Sequence, residues 1–238
     1  MKIIISGYGK MGKEVEKIAL KKNHQITAIL DTEEDWNNFI KKSVNADVVI
    51  DFSMPTSAID NIKKCFALDI PIVTGTTGWH NQLEEIKNIC LTNNKTLFFS
   101  SNFSIGANIL FEINKRLSQL MNSQEHYDVS IEETHHLQKL DSPSGTAITL
   151  ANEIIKNIDR KKNWINTEEN DDSSIKIKSI RAKNITGIHS VFYESPIDII
   201  EIKHTAKNRA GLALGAVVAA EWIIGKKGIF EMKDLLNF

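Results

Sequence analysis

Between Glu132 and Ala147 the chain reads Glu-Glu-Thr-His-His-Leu-Gln-Lys-Leu-Asp-Ser-Pro-Ser-Gly-Thr-Ala. His135 or His136 can give or take a proton near neutrality, because the ordinary histidine pKa is about 6.5. Lys139 offers a compact ammonium on a flexible stem, suited to a carboxylate. Pro143-Ser144-Gly145-Thr146 reads as the start of a helix, where the first backbone N–H groups have no intrahelical acceptor and carry partial positive charge. A proton donor, a cationic anchor and an anion cradle therefore share one short connection. The chemistry expected of them is proton transfer to a small bound carboxylate. There is a geometric condition. On a regular strand His135 and His136 point to opposite faces, so both serve one site only if the strand ends or bends there. Lys139 follows His135 by four residues, and one helical turn would bring them to the same side. A solvated polar loop is the plain alternative; two histidines, a lysine and a helix start within twelve residues argue against it.

Such a site needs a second reactant, and the N-terminus supplies a candidate. Gly7-Tyr8-Gly9-Lys10-Met11-Gly12 follows an Ile-rich run and opens a helical pattern, and Asp31 ends the next apolar run 24 residues beyond Gly7. That is the context a dinucleotide fingerprint requires. The first glycine permits the tight turn, the second lets backbone approach the pyrophosphate, and the third allows close helix–sheet packing. Asp31 is expected to accept the ribose hydroxyls, and position 32 is Thr32 where an arginine would favour a 2′-phosphate. NADH is therefore the expected preference, with NADPH tolerated through Lys10 and Lys13. Gly75-Thr76-Thr77 and Ser100-Ser101-Asn102-Phe103 close two later apolar runs and would flank a nicotinamide. The alternative for each is an ordinary polar turn.

The elements that must position these residues alternate in type up to Phe103. Runs at Lys2–Ser6, Gln25–Leu30, Asp47–Phe52, Pro71–Thr74 and Thr96–Ser100 read as strands, and helical patterns fall after the glycine turn and at Ser57–Leu68 and Gln82–Thr92. This spacing predicts an α/β, Rossmann-type parallel sheet binding ligand at its C-terminal strand edge. Beyond Phe103 come a long helix, Asn108–Met121, and strand-like segments near 127–134, 175–183, 187–194 and 197–204. The helix Thr146–Ile158 and an aperiodic polar loop from Asn166 to Ser174 lie between them. These predict a second, α+β domain on an open mixed sheet, one face covered by helix and the other still apolar at Ile188, Phe192 and Ile197. Such a face suits an oligomer interface. The expected division is 1–103 plus 208–238 for dinucleotide binding, and 104–207 for substrate binding and oligomerisation.

Bulk properties exclude several classes. With 238 residues, 42% hydrophobic and 25% charged, the chain can bury a full core without staples. A formal net charge of −1 gives no basic face for nucleic acid or a membrane surface. Cys65 and Cys90 have no partner at zinc spacing and read as buried thiols in a reducing cytosol, so no metal is expected. Met1-Lys2 runs at once into a strand, and the longest apolar run, Ala210–Gly225, is interrupted by Glu221. Neither a signal peptide nor a membrane span is expected, and the location read from this is cytoplasmic.

Together these motifs resemble the 4-hydroxy-tetrahydrodipicolinate (dihydrodipicolinate) reductase family of diaminopimelate and lysine biosynthesis. The resemblance rests on Gly7–Gly12, Val49-Ile-Asp-Phe-Ser53, Gly75–Gly78, Ser101–Ser104, Glu133-Thr-His-His136, Lys139, Asp141–Ala147 and His204–Arg209. It implies an NAD(P)H-dependent homotetramer acting on a small cyclic dicarboxylate. It implies hydride delivery to ring C4, His135 as proton donor and Lys139 as the second donor, and substrate contacts from His136, Gly145 and Thr146. It implies nucleotide contacts from Gly7, Tyr8, Gly9, Lys10, Met11, Gly12, Asp31, Gly75, Thr76, Thr77, Ser100, Ser101, Asn102 and Phe103. The glycine turn is one residue shorter than in many members, and Thr32 replaces the arginine that often follows the ribose-binding acid. The alternatives are another NAD-dependent oxidoreductase or a dinucleotide-binding sensor without turnover.

Overall fold

The structure, a computed structural model, describes residues 1–42, 45–167, 171–208 and 210–238. Glu168–Asn170 of the polar loop and Arg209 of the C-terminal motif lie outside the described residues. The chain forms two compact units, Met1–Ile105 with Ala210–Phe238, and Gly106–Arg209.

In the first unit, β1 (Lys2–Ser6), α1 (Lys10–Lys21), β2 (Gln25–Leu30), α2 (Glu33–Lys42), β3 (Val48–Asp51), α3 (Pro55–Ala67), β4 (Ile72–Thr74), α4 (Leu83–Thr92) and β5 (Thr96–Phe99) follow in order. The C-terminal α7 (Ala210–Ile223), β11 (Gly228–Phe230) and α8 (Met232–Leu236) complete it. The sheet is parallel, ordered β11-β5-β4-β3-β1-β2. Successive strand side chains face opposite ways, and the two cores follow that alternation. Ile3, Ile5, Val48, Ile50, Val73 and Phe98 pack with Val15 and Ala19 of α1 and the alanines of α7. Ile4, Val49, Ile72 and Leu97 pack on the other side with Trp36, Ile62, Phe66 and Ile86. Strands covered on both faces must be apolar throughout, which is why β1 and β3 read as continuous Ile/Val runs. Cys65 and Cys90 sit in the second of these cores as free thiols, and burial raises both above the ordinary thiol range. A side chain at Gly215 would put its Cβ 1.7 Å from the Phe103 carbonyl oxygen, so α7 depends on glycine to seat against the end of the sheet.

Two elements of this unit depart from the sequence reading. The segment after Asp31 contains α2, which buries only Trp36 and Phe39. Its acidic first turn (Glu33, Glu34, Asp35) and basic last turn (Lys41, Lys42) complement the helix dipole. The three-residue β11, paired with β5, lies where the sequence has only a glycine and two apolar residues.

The second unit contains α5 (Ile105–Met121, its first residue in the first unit), β6 (Asp128–His135), α6 (Gly145–Asn157), β7 (Asn163–Ile165), β8 (Ser174–Arg181), β9 (Gly187–Glu194) and β10 (Ile199–Ala206). The order β10-β9-β6-β8-β7 is mixed: β9 runs antiparallel to β10 and β6, while β8 runs parallel to β6 and β7. One face buries Val129, Ile131, Ile177, Val191 and Tyr193 under Leu110, Leu150, Ala151 and Ile154 of the two helices. Elsewhere on the unit, Ile197 and Ile199 are exposed, and Ile188 and Phe192 are half-buried. This pair of units is the α/β-plus-mixed-sheet architecture expected from the sequence. Among the described residues no helix is long and apolar enough to cross a membrane.

Candidate active site

The first unit's sheet changes direction between β1 and β3: the chain goes from β1 to β2 on one side and returns to β3 on the other. The crevice outside such a switch point is where open parallel sheets take ligand, and the glycine turn after β1 lies there. Its three glycines do different work. Gly7 has φ 81°, and a Cβ there would lie 2.5 Å from the Phe52 carbonyl oxygen. At Gly12 a Cβ would lie 2.1 Å from the Gly7 oxygen. At Gly9 no atom lies within 4 Å of that position. The outer two glycines thus serve the fold, while the middle one leaves surface open beside the N-terminus of α1, the place for a phosphate.

A cleft of about 360 Å³ adjoins the turn, lined by Gly7, Tyr8, Gly9, Asp31, Thr32, Glu33, Ser53 and Asn61 among others. Asp31 Oδ1 accepts the Tyr8 amide at 2.7 Å, which sets the carboxylate at the end of β2 against the glycine turn. Asp35 holds the next turn: its Oδ2 accepts the Thr32 hydroxyl at 2.7 Å and the Thr32 and Asp31 amides at 2.8 and 3.1 Å. Those bonds, the Thr32 hydroxyl's first, hold the Asp35 carboxyl below the usual carboxylate range. This end of the cleft is therefore acidic.

Behind the turn, Asp51 at the end of β3 is fully buried. Its carboxylate accepts from the Ser6 hydroxyl at 2.8 Å, Thr74 at 2.8 Å, Thr76 at 2.9 Å and the Asn61 amide at 3.3 Å. This network ties together the ends of β1, β3 and β4, and sequence reasoning missed it as a site feature. Gly75 donates its amide to the Asp51 carbonyl at 2.9 Å, and its Cβ position is filled by the Phe52 ring. Thr77 and Ser101 are exposed, while the Ser100 hydroxyl and the Asn102 backbone bond to one another. Lys10 is exposed and Met11 half-buried on α1. Phe103 is 1% exposed, and its ring packs edge-on against Phe52 and beside Phe98. An apolar ring at a strand end is drawn into the core.

In the second unit, Val129, Ile131, Glu133 and His135 share the buried face of β6, so the core turns polar toward the strand's C-terminal end. Glu133 is fully buried. A buried carboxylate must be compensated, and it accepts the Ser144 amide at 3.0 and 3.1 Å and the Ser179 hydroxyl at 2.8 Å, with Arg181 Nη1 3.7 Å away. Burial alone would push its pKa up; hydrogen bonding from His135, Ser144 and Ser179 outweighs burial and holds it at about 2. His135 Nδ1 lies 3.1 Å from the Thr186 carbonyl oxygen and Nε2 lies 3.2 Å from His189 Nε2. A carbonyl only accepts, so the Nδ1 nitrogen carries a proton. Burial, then the charge of His135, lowers the His189 pKa to about 4. Ser144 caps α6 by accepting the Ala147 amide at 3.2 Å, and its Oγ lies 3.1 Å from His189 Nε2. The helix amides of Gly145 and Thr146 belong to the first turn, which has no intrahelical acceptor. Gly145 is exposed, with no atom within 4 Å of where a Cβ would stand, and Thr146 is half-buried.

The strand does end where both histidines required it, at His135. The connection then forms a turn closed by the Lys139 amide on the His136 carbonyl at 3.1 Å. This replaces the helical turn expected between His135 and Lys139. The Ser142–Pro143 peptide bond is cis, and α6 starts only at Gly145. Lys139 Nζ pairs with Asp141 Oδ1 at 2.9 Å, and that bond lowers the Asp141 pKa. Arg181 secures the same turn through the carbonyls of Asp141 and Lys139 at 2.6 and 3.4 Å. His136 lines a pocket of about 480 Å³ with Leu137, Gln138, Lys183, Asn184 and Thr186. Glu133, Ser144, Arg181 and His189 are neighbours of His135 to which sequence reasoning gave no role of their own. Glu133 was within reach of it, since residues two apart on a strand share a face; His189 was not, because it arrives by cross-strand register with Glu133.

Residues 1–103 match the family model described as dihydrodipicolinate reductase, N-terminus, and residues 106–236 match dihydrodipicolinate reductase, C-terminus. The chain belongs to the dihydrodipicolinate reductase family. The C-terminal match covers both the second unit and the α7–α8 segment that returns to the first. Among curated relatives, the 4-hydroxy-tetrahydrodipicolinate reductase of Christiangramia forsetii is 48% identical over 237 residues, spanning 100% of this chain and 98% of that one. The enzyme of the same name from Clostridium novyi is 36% identical, spanning 99% and 98%. The fold is shared with a dipicolinate-bound dihydrodipicolinate reductase from Paenisporosarcina sp. TG-14, at TM-score 0.79 and 22% identity over 97% of each chain. Dihydrodipicolinate reductases are NAD(P)H-dependent oxidoreductases, which agrees with a glycine turn at a switch point.

Proposed function

We propose that this chain reduces 4-hydroxy-tetrahydrodipicolinate to tetrahydrodipicolinate in diaminopimelate and lysine biosynthesis, with His135 as the proton donor. The observation that carries this reading is the end of β6, where the donor is held on both nitrogens beside the capped N-terminus of α6. NADH would supply hydride to ring C4, and the residues present fit it: the open surface at Gly9 suits a pyrophosphate and Asp31 suits ribose hydroxyls.

The chain's own residues do the rest. The 4-hydroxyl and a proton from the neighbouring carbon would leave as water, giving the conjugated dihydro ring that accepts hydride at C4. His135 delivers a proton to that neighbouring carbon as electron density moves through the conjugated system. Glu133, ionised and fixed by Ser144 and Ser179, lies 3.4 Å from His135 Nε2 and holds the ring in position. The ammonium of Lys139 exchanges Asp141 for a substrate carboxylate and serves as the second proton donor, while the Gly145 and Thr146 amides and His136 hold the dianion. Positioning and charge stabilisation then carry much of the rate.

The acidic end of the cleft, Asp31 with Glu33 and Asp35, repels a 2′-phosphate, so NADH is preferred and NADPH is used less well. The 1–103 plus 208–238 portion binds dinucleotide and 104–207 binds substrate and assembles the chain. The apolar positions Ile197, Ile199 and Ile200 support a homotetramer, and two unpaired buried thiols support a cytoplasmic setting. The test is loss of NADH absorbance with enzymatically generated substrate, against unrelated keto acids and no substrate. Turnover on the first alone is expected; tight NADH binding without turnover on any would refute the reading.

A further inference from the structure

Three ligand-capable atoms converge in the second unit. Glu133 and His135 share a face of β6, and His189 is the direct cross-strand partner of Glu133 on β9. His135 Nε2 and His189 Nε2 are 3.2 Å apart, and Glu133 Oε2 is 3.4 Å from the first and 3.7 Å from the second. The two rings are within hydrogen-bond reach of each other, and both carboxylate contacts are longer than the usual range of about 2.7–3.2 Å. They are the right length for the edges of a tetrahedron around a metal ion. A point equidistant from atoms separated by 3.2, 3.4 and 3.7 Å lies about 2.0 Å from each, and zinc bonds to histidine nitrogen and carboxylate oxygen are about 2.0–2.2 Å.

The surroundings orient these atoms as a metal requires. The Thr186 carbonyl takes the Nδ1 proton of His135 at 3.1 Å, which leaves the Nε2 lone pair facing the cluster. Glu133 Oε1 is engaged by the Ser179 hydroxyl at 2.8 Å and by Arg181 at 3.7 Å, which turns Oε2 toward the two rings. All three residues are buried, at 0, 8 and 5% exposure, so their geometry is set by the fold. Ser144 Oγ stands 3.1 Å from His189 Nε2, at the same edge length. Two imidazoles and one carboxylate make a donor set for a borderline transition-metal ion, where magnesium and calcium want oxygens alone.

We propose that Glu133, His135 and His189 form a binding site for a divalent transition-metal cation of the zinc class, and that its occupancy inhibits turnover by engaging the His135 Nε2 lone pair. The inhibition rests on His135 as proton donor; the binding does not. Calorimetric titration of the metal-stripped full-length chain with zinc chloride should show one zinc per chain with a micromolar or tighter dissociation constant, and no heat with magnesium. His189→Ala and the isosteric Glu133→Gln should each weaken it by about 10-fold or more. Zinc-edge anomalous scattering from wild-type crystals should place the ion among the three side chains, which keeps the test independent of how the variants fold. Absence of stoichiometric binding, equal affinity in both variants, or an ion held elsewhere would overturn the site. Zinc should also suppress turnover over the same concentration range, reversibly with chelator. Stoichiometric binding at this cluster with undiminished turnover would overturn the inhibition and the proton-donor role of His135, while the site itself would stand.

Discussion

Glu133 accepts the backbone N–H of Ser144 with both of its carboxylate oxygens, at 3.0 and 3.1 Å. This one contact fixes the end of the strand that carries His135 to the start of the helix whose amides face outward at Gly145. The proposed proton donor and the proposed anion cradle are therefore a single piece, joined by a buried charge.

That charge makes stability depend on pH. With chelator present, Glu133 is held at about 2 against an ordinary 4.5, and His189 at about 4 against 6.5. Both are depressed on folding, so the unfolded chain binds more protons and stability falls as pH falls. The His189 part is lost between 6.5 and about 4, and the Glu133 part between 4.5 and about 2. Each displacement is worth on the order of 3 kcal/mol. Urea unfolding in chelator from neutral pH downward should show both losses, and Glu133→Gln should flatten the lower one. Parallel profiles for the two proteins would contradict this.

Gly9 separates binding from folding. Its Cβ position meets nothing within 4 Å, unlike those of Gly7 and Gly12. Gly9→Ala should melt at the wild-type temperature yet raise KM for NADH by about 10-fold or more, since a methyl there displaces the phosphate by an appreciable fraction of a bond length. Gly12→Ala should instead lower the melting temperature. Unchanged KM in Gly9→Ala would remove the turn as the pyrophosphate site.

In the proposed function the acidic rim at Asp31 and Asp35 sets the cofactor preference. Wild-type kcat/KM should favour NADH, and Thr32→Arg should shift the ratio toward NADPH by about 10-fold, the scale of one charge-assisted phosphate contact. A clear NADPH preference in the wild type would contradict the assignment.

What the sequence disclosed followed from locality. Strand, glycine turn, helix and strand at 2–30 are contiguous, and each signals itself through neighbours a few residues away. The mixed sheet showed through eight-residue strands at β6, β8, β9 and β10. The three-residue strands β7 and β11 did not show, because a strand that short exists only through its partner. Helix α2 was hidden by having just two buried residues, Trp36 and Phe39. At the site, His135 was legible from its motif, whereas His189 enters by register across β6 and β9, 54 positions away. For the same reason sequence spacing gave no metal site, its three ligands coming from two strands.

Lys139 pairs with Asp141 at 2.9 Å, a partner that a substrate carboxylate can replace. Lys139→Ala should raise KM for the dicarboxylate and lower kcat, each by about 10-fold, as expected for a charged contact used in binding and turnover. The KM for NADH should stay as it is. Unaltered constants for the dicarboxylate would show a solvated lysine.

The steady-state kcat of His135→Gln tests the proton-donor assignment most directly, since glutamine keeps hydrogen-bonding groups at the position but has no proton to give near neutrality. A fall of about 10²-fold or more is expected, the usual scale for loss of a general acid, with KM for NADH unchanged. A kcat close to that of the wild type would contradict the assignment of His135 as the proton donor.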